Sequence, residues 1–225
     1  MSVNKDKYNE IIEELGNKVT LVAVSKTKPV EDIQELYNLG QRDFGENYVQ
    51  ELVDKEAALP KDIHWHFIGH LQSNKVKYIA PFVHLIHGID SFSLLKGINK
   101  QAAKNNRTID CLLQIYVAKE ETKFGLDEKE LNELMHQQTI EPLNNISIKG
   151  LMGMASFSDD KELIRSEFKY LKGLADKINA QYSIPNVQCS IISIGMSGDY
   201  KIAIEEGSTM VRIGSLLFGE RNYSK

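Results

Sequence analysis

Val19-Thr20-Leu21-Val22-Ala23-Val24-Ser25-Lys26-Thr27-Lys28-Pro29 is the stretch from which the fold can be read. Six apolar or β-branched residues make a short buried strand. Polar residues follow at its carboxyl end, and Pro29 then opens a helix over Val30–Leu39 that Gly40 closes. Proline at a helix start and glycine past its end is the usual asymmetry. The same strand, loop and helix unit recurs down the chain.

A helix over residues 4–16 precedes the first strand. Further strands are expected at Arg42–Gly45, Ile63–Ile68, Val83–Ile89, Ile109–Val117, Ile146–Met152, Ser190–Ile194 and Thr209–Ile213. The helices between them are expected at Tyr48–Ala58, after Gln72, and at Leu94–Lys104, Glu128–Gln138, Asp160–Gln181 and Tyr200–Glu206. Strict alternation argues for a parallel sheet in an α/β protein. Eight units in 225 residues, about 28 residues each, argue for a closed (β/α)8 TIM-type barrel over an open doubly wound sheet. No linker or low-complexity segment divides the chain, so residues 1–225 read as a single domain.

The net charge of −4 and the absence of a Lys/Arg cluster give no nucleic-acid footprint. Cys111 and Cys189 lie within apolar residues and read as reduced, buried thiols, not a disulfide framework. The polar start, Met1 to Lys7, has no apolar signal core, and no run approaches the ~18 apolar residues of a membrane span. A cytoplasmic protein with no membrane partner is expected.

The unusual residues gather at the carboxyl ends of strands, the face on which barrels build their sites. Ser25-Lys26-Thr27-Lys28 follows the first strand, Phe44-Gly45-Glu46-Asn47-Tyr48 the second, and Gly69-His70-Leu71-Gln72-Ser73-Asn74-Lys75 the third. Gly195-Met196-Ser197-Gly198-Asp199 follows the seventh, and Arg212-Ile213-Gly214-Ser215 ends the eighth. Lys26 suits Schiff-base chemistry, which requires a neutral amine; desolvation or a second cation such as Lys28 lowers a lysine pKa. A lysine pointing to water is the alternative. Ser197, Gly198, Gly214 and Ser215 suit a phosphate cradle, because glycine admits an anion to backbone N–H groups and serine donates to it. Ordinary turns favour the same residues. An inward Arg212 needs an anion, an acceptor nitrogen or a carboxylate such as Glu46. His64 and His66 share a strand face with His70 nearby, but the strand-eight arginine opposes a cation, and structural histidines are the expected reading. No metal site is expected.

Val22-Ala23-Val24-Ser25-Lys26-Thr27, Phe44-Gly45-Glu46-Asn47-Tyr48, Trp65-His66-Phe67-Ile68-Gly69, Leu71-Gln72-Ser73-Asn74-Lys75, Gly195-Met196-Ser197 and Met210-Val211-Arg212-Ile213-Gly214 closely resemble the pyridoxal phosphate homeostasis protein family, also called the proline-synthase co-transcribed homologue family. The resemblance spans roughly residues 10–222. It implies the barrel of the alanine racemase N-terminal domain, with pyridoxal 5′-phosphate (PLP) held as a Schiff base on Lys26. Ser197, with backbone groups around Gly214 and Ser215, would hold the phosphate beside Met196. Arg212 would face the pyridine nitrogen and Asn47 would line the ring. Lys123, in Glu121-Thr122-Lys123-Phe124-Gly125, matches a family segment and, like Lys28, is a candidate second attachment point.

The resemblance implies a carrier in PLP (vitamin B6) homeostasis and delivery, with PLP-dependent apo-enzymes or PLP-synthesising enzymes as partners. The alternative is a PLP-dependent amino-acid racemase, which needs a proton donor–acceptor on each face of the reacting carbon. The racemase takes its second base, a tyrosine, from the β-domain of a partner subunit. The chain ends about twelve residues past the eighth strand, so no β-domain is expected, and a monomer with it. Nine tyrosines leave an internal second base open. A metal-dependent barrel hydrolase is a third reading.

Overall fold

The computed structural model describes residues 3–117, 124–135 and 143–219. Helix α1 (Lys5–Leu15) is capped by Asn4, whose side chain accepts from the Lys7 N–H. Eight strands then alternate with helices: β1 (Thr20–Val24), α2 (Val30–Asn38), β2 (Asp43–Glu46), α3 (Val49–Ala58), β3 (His64–Phe67), α4 (Val76–Ile79) and β4 (Leu85–Ile89). The second half comprises α5 (Phe92–Lys104), β5 (Ile109–Gln114), α6 (Glu128–Met135), β6 (Ile146–Met152), α7 (Lys161–Gln181), β7 (Val187–Ser193), α8 (Tyr200–Glu205), β8 (Met210–Ile213) and α9 (Ser215–Phe218). All strand pairs are parallel, and β8 closes onto β1 with Val22 opposite Arg212. The chain is the expected barrel.

Closure splits the apolar residues into two populations. Alternate side chains of each strand face the helices, and these join a large core with Ile11, Ile33, Leu36, Leu52, Phe168 and their neighbours. Val22, Leu85, Leu112, Met152 and Met210 form a separate cluster, with Met154 and Ile191 packed on it. Its members come from five strands around the ring and include no helix residue, so they fill the interior. Polar residues share this inner face. His87 lies two past Leu85, Gln114 two past Leu112, Ser193 two past Ile191 and Arg212 two past Met210. All four are buried.

Several elements differ from the sequence reading at their ends. β5 stops at Gln114, because its ladder partner β6 ends at Met152 opposite it; Ile115 instead bridges to Leu126. β7 begins at Val187, three residues early, since Val187 pairs with Ile148 of β6. The helix after Gln72 is a 3-10 turn, Ser73–Lys75, followed by the single turn of α4. α5 starts at Phe92 because the Ser91 hydroxyl accepts from the Leu94 N–H. Cys111 and Cys189 are both free and buried. Burial pushes Cys189 up to about 12 and Cys111 higher, so both are thiols at neutral pH. No described helix is long and apolar enough to cross a membrane.

Leu112 is fully buried inside the ring. Leu112→Ala should lower the unfolding free energy by about 2–5 kcal/mol in urea titrations, because the closed sheet cannot collapse onto the void.

Candidate functional site

A cavity of about 310 Å³ opens at the carboxyl ends of the strands. Its walls include Lys26, Asn47, Met196, Ser197, Arg212, Gly214 and Ser215, the seven residues singled out in the sequence. Val24, Lys28, Ile68, Met154, Gly198 and Gly219 complete it. Among the described residues that line it, three are cationic and none carries a carboxylate. In a chain of net charge −4, that local excess favours an anionic ligand.

Lys26 stands two residues past Val24 on a loop anchored from below. The Ser25 hydroxyl, fully buried, donates to Glu46 Oε1 at 2.6 Å. Lys55 Nζ reaches the Ser25 carbonyl (2.8 Å), Glu46 Oε1 (2.7 Å) and Glu51 Oε1 (2.6 Å). Glu51 in turn accepts from the Thr27 N–H at 2.5 Å. Thr27 has a φ of 64°, unusual for a β-branched residue, and this bond holds it there. Glu46 therefore belongs to Lys55 and Ser25, not to Arg212. Burial pushes the Glu46 carboxyl above its usual value, against the pull of the Lys55 ammonium. Lys28 Nζ donates to the Phe218 carbonyl at 2.7 Å, which ties the loop to the end of α9.

Arg212 points inward and is 5% exposed. Its Nη1 donates to the Ser193 carbonyl and hydroxyl oxygens, both at 2.7 Å, and Nη2 to the Gly153 carbonyl at 2.9 Å. Burial pushes the guanidinium down to about 10, while the Asp199 carboxylate opposes the shift. It remains charged at neutral pH, held by neutral acceptors with a carboxylate only at a distance.

The opposite wall is built by close backbone approach. A Cβ on Gly69 would lie 2.4 Å from the Asn47 carbonyl oxygen, so only glycine lets β3 bring that loop against Asn47. Asn47 Oδ1 is buried and has no hydrogen-bond partner among the described residues. Leaving an acceptor so costs about 1–3 kcal/mol, which a ligand donor would offset. At the cradle, Ser197 Oγ accepts from the Gly214 N–H at 3.3 Å and Asp199 Oδ1 from the Met196 N–H at 2.5 Å. Gly195, with a φ of 93° and Ala203 2.6 Å from where its Cβ would be, turns β7 into this loop. A Cβ at Gly198 would meet open space.

His70 bonds Asp90 through Nδ1 (3.1 Å) and stacks on Phe124, away from this cavity. Lys123 lies outside the described residues. The sequence reading missed Lys55 and Glu51, which steady the lysine loop, and His87 and Ser193, which connect to Arg212. The in/out parity of β4 and β7 was the available signal for the last two.

Lys55→Met leaves Glu46 buried without its cation, which should cost about 3–5 kcal/mol. Glu46 then has a folded-state pKa raised well above its unfolded value. Its contribution is therefore present below the ordinary carboxylate range and lost as pH rises through the folded value. Denaturant titrations at about pH 5 and about pH 8 should show the deficit growing with pH.

The alanine racemase N-terminal domain family model matches residues 4–222. The pyridoxal phosphate homeostasis protein of Aquifex aeolicus is 46% identical over 208 residues, covering 92% of this chain and 89% of its own. PipY of Synechococcus elongatus, in its structure with PLP bound, superposes with a TM-score of 0.86 at 33% identity, over 95% of this chain and 99% of that one. Alanine racemase from Bartonella henselae shares the fold, with a TM-score of 0.70 at 19% identity, over 93% of this chain but 56% of the racemase. Conserved architecture and sequence thus agree: the chain belongs to the pyridoxal phosphate homeostasis proteins, within the alanine racemase N-terminal domain family.

Proposed function

We propose that this chain binds PLP in the cavity at the carboxyl ends of its strands, with Lys26 as the covalent anchor, and acts in intracellular PLP (vitamin B6) homeostasis and delivery. The observation that carries the reading is one cavity in which Lys26, an arginine held by neutral acceptors, an unpartnered Asn47 Oδ1 and a serine–glycine cradle converge. Those features fit the group: a phosphate for the cradle, an aldehyde for the amine and a ring with polar substituents for Asn47. When bound, PLP supplies an aldehyde that condenses with an amine and a ring that withdraws electrons.

The protein's own groups have distinct roles. Ser197 and the backbone N–H of Ser215, with that of Gly214 once released from Ser197 Oγ, would hold the phosphate, with Met196 on the same wall. Arg212, on the cavity wall, would face the ring nitrogen as a cation, which would disfavour a proton there and weaken the ring as an electron sink. Racemisation needs a proton carrier on each face of the substrate. Among the described residues no tyrosine, histidine or cysteine lines the cavity, and Lys28 is engaged with Phe218. These features favour a carrier over a racemase. The carrier is a single-domain cytoplasmic monomer that exchanges PLP with PLP-dependent apo-enzymes or PLP-synthesising enzymes.

Purified protein incubated with PLP should be yellow, and borohydride should fix the adduct in the peptide containing Lys26. Lys26→Ala should abolish the fixed adduct there. Colour retained at Lys28 would move the anchor, and turnover of L-alanine or another amino acid at ordinary enzyme rates would overturn the carrier reading.

A further inference from the structure

The amino ends of the strands, opposite the cavity, hold a second cluster of chemistry-bearing side chains. Asp43 is the first residue of β2 and His64 the first of β3, while His84 immediately precedes β4. His66 Nε2 lies 2.9 Å from Asp43 Oδ1, and His64 Nδ1 lies 3.3 Å from the same oxygen. One ligand atom each from Asp43, His66 and His84 fall within 4.8 Å of one another. His66 is buried, Asp43 half-buried and His84 exposed, so the group is anchored inside and open to solvent on one side.

We propose that Asp43, His66 and His84 form a binding site for a divalent transition-metal ion of the zinc class. Two imidazoles and one carboxylate, with a position left for water, are a zinc-type donor set. Magnesium and calcium prefer all-oxygen surroundings. Metal–ligand lengths of about 2.0–2.1 Å put tetrahedral ligands ~3.3 Å apart. Asp43 and His66 already stand near that spacing, with a ligand atom of the exposed His84 within 4.8 Å of both. Arg107 is the opposing influence. Its guanidinium is fixed on the Ala80 and Val83 carbonyls, which hold it in place near His84.

The second ring nitrogen of His66 supplies an independent support. His66 Nδ1 is 2.9 Å from Nε2 of the fully buried His87. A ligating histidine characteristically has its other nitrogen held by such a partner, which fixes the ring and its tautomer. His87 Nδ1 in turn lies 3.1 Å from Ser193 Oγ, which accepts from Arg212. Without metal, each link is satisfied if Ser193 donates to His87, His87 to His66, and His66 Nε2–H to the Asp43 carboxylate. A metal on His66 Nε2 displaces that proton and leaves Nδ1 as the donor. His87 must then donate to Ser193, so ion binding at one mouth reverses the hydrogen bonds that end on the Arg212 wall at the other.

Full-length protein titrated with Zn²⁺ against a chromophoric chelator should reveal one site per chain. Asp43→Asn and His84→Ala lie at accessible positions, and circular dichroism should report both as folded. Each should weaken the site by ~100-fold or more, since losing a ligand exceeds the about 10–100-fold cost of losing a ligand's supporting partner. Lys26→Ala should leave it unchanged, which separates this site from the PLP cavity. Absence of a stoichiometric site, its survival in both rim variants, or its loss with Lys26 would overturn the assignment.

Discussion

A closed barrel turns every second strand residue into a space that water does not fill, and any polar side chain placed there must find its partner across the ring. Arg212 sets the terms. Its buried guanidinium binds Ser193 on the neighbouring β7 and Gly153 just past β6, Ser193 meets His87, His87 meets His66 and His66 meets Asp43. Five side chains from five strands thus thread the interior from the cavity to the opposite mouth. Each removes an orphaned group from the next. The apolar cluster of Val22, Leu85, Leu112, Met152 and Met210 packs the remaining interior.

The cavity follows from the same constraint. Its floor is a charge the interior leaves without a contacting carboxylate, and Lys26 and Lys28 add two more cations at the rim. Glu46, a fully buried carboxylate at the end of β2, is claimed from outside the ring by Lys55 on α3 and by Ser25. That separation matters: were Glu46 to pair with Arg212, the field that favours a phosphate-bearing ligand would be cancelled where it is needed. Lys55 therefore serves the site without touching it, holding Glu46 and Glu51 under the loop that presents Lys26.

Much of this was legible in the residues. Lys26, Asn47, Met196, Ser197, Arg212, Gly214 and Ser215 all fall just past, or at the end of, apolar strands, and a parallel barrel delivers every such position to one mouth. What escaped were contacts between elements distant in the chain. A linear reading allows Arg212 a pairing with Glu46, because a buried cation and a buried anion are natural partners. His64 and His66 were grouped with His70, their neighbour in sequence, whereas the ring brings them Asp43 and His84 instead. Strand ends moved for a similar reason, since β5 and β7 end or begin where β6 provides ladder partners.

The amino-acid sequence alone determined the alternation of strands and helices, the closed α/β architecture and the set of residues at the carboxyl-end mouth. These depend on local periodicity and on a fixed rule of chain direction, both of which are written in consecutive residues. Tertiary structure alone decided which charges neutralise one another, that Arg212 meets Ser193 and Gly153 while Glu46 meets Lys55, and that histidines of β3 and β4 join across the ring. Electrostatic pairing depends on distance and burial in three dimensions, and residues from 9 to 106 positions apart acquire those only when the barrel closes.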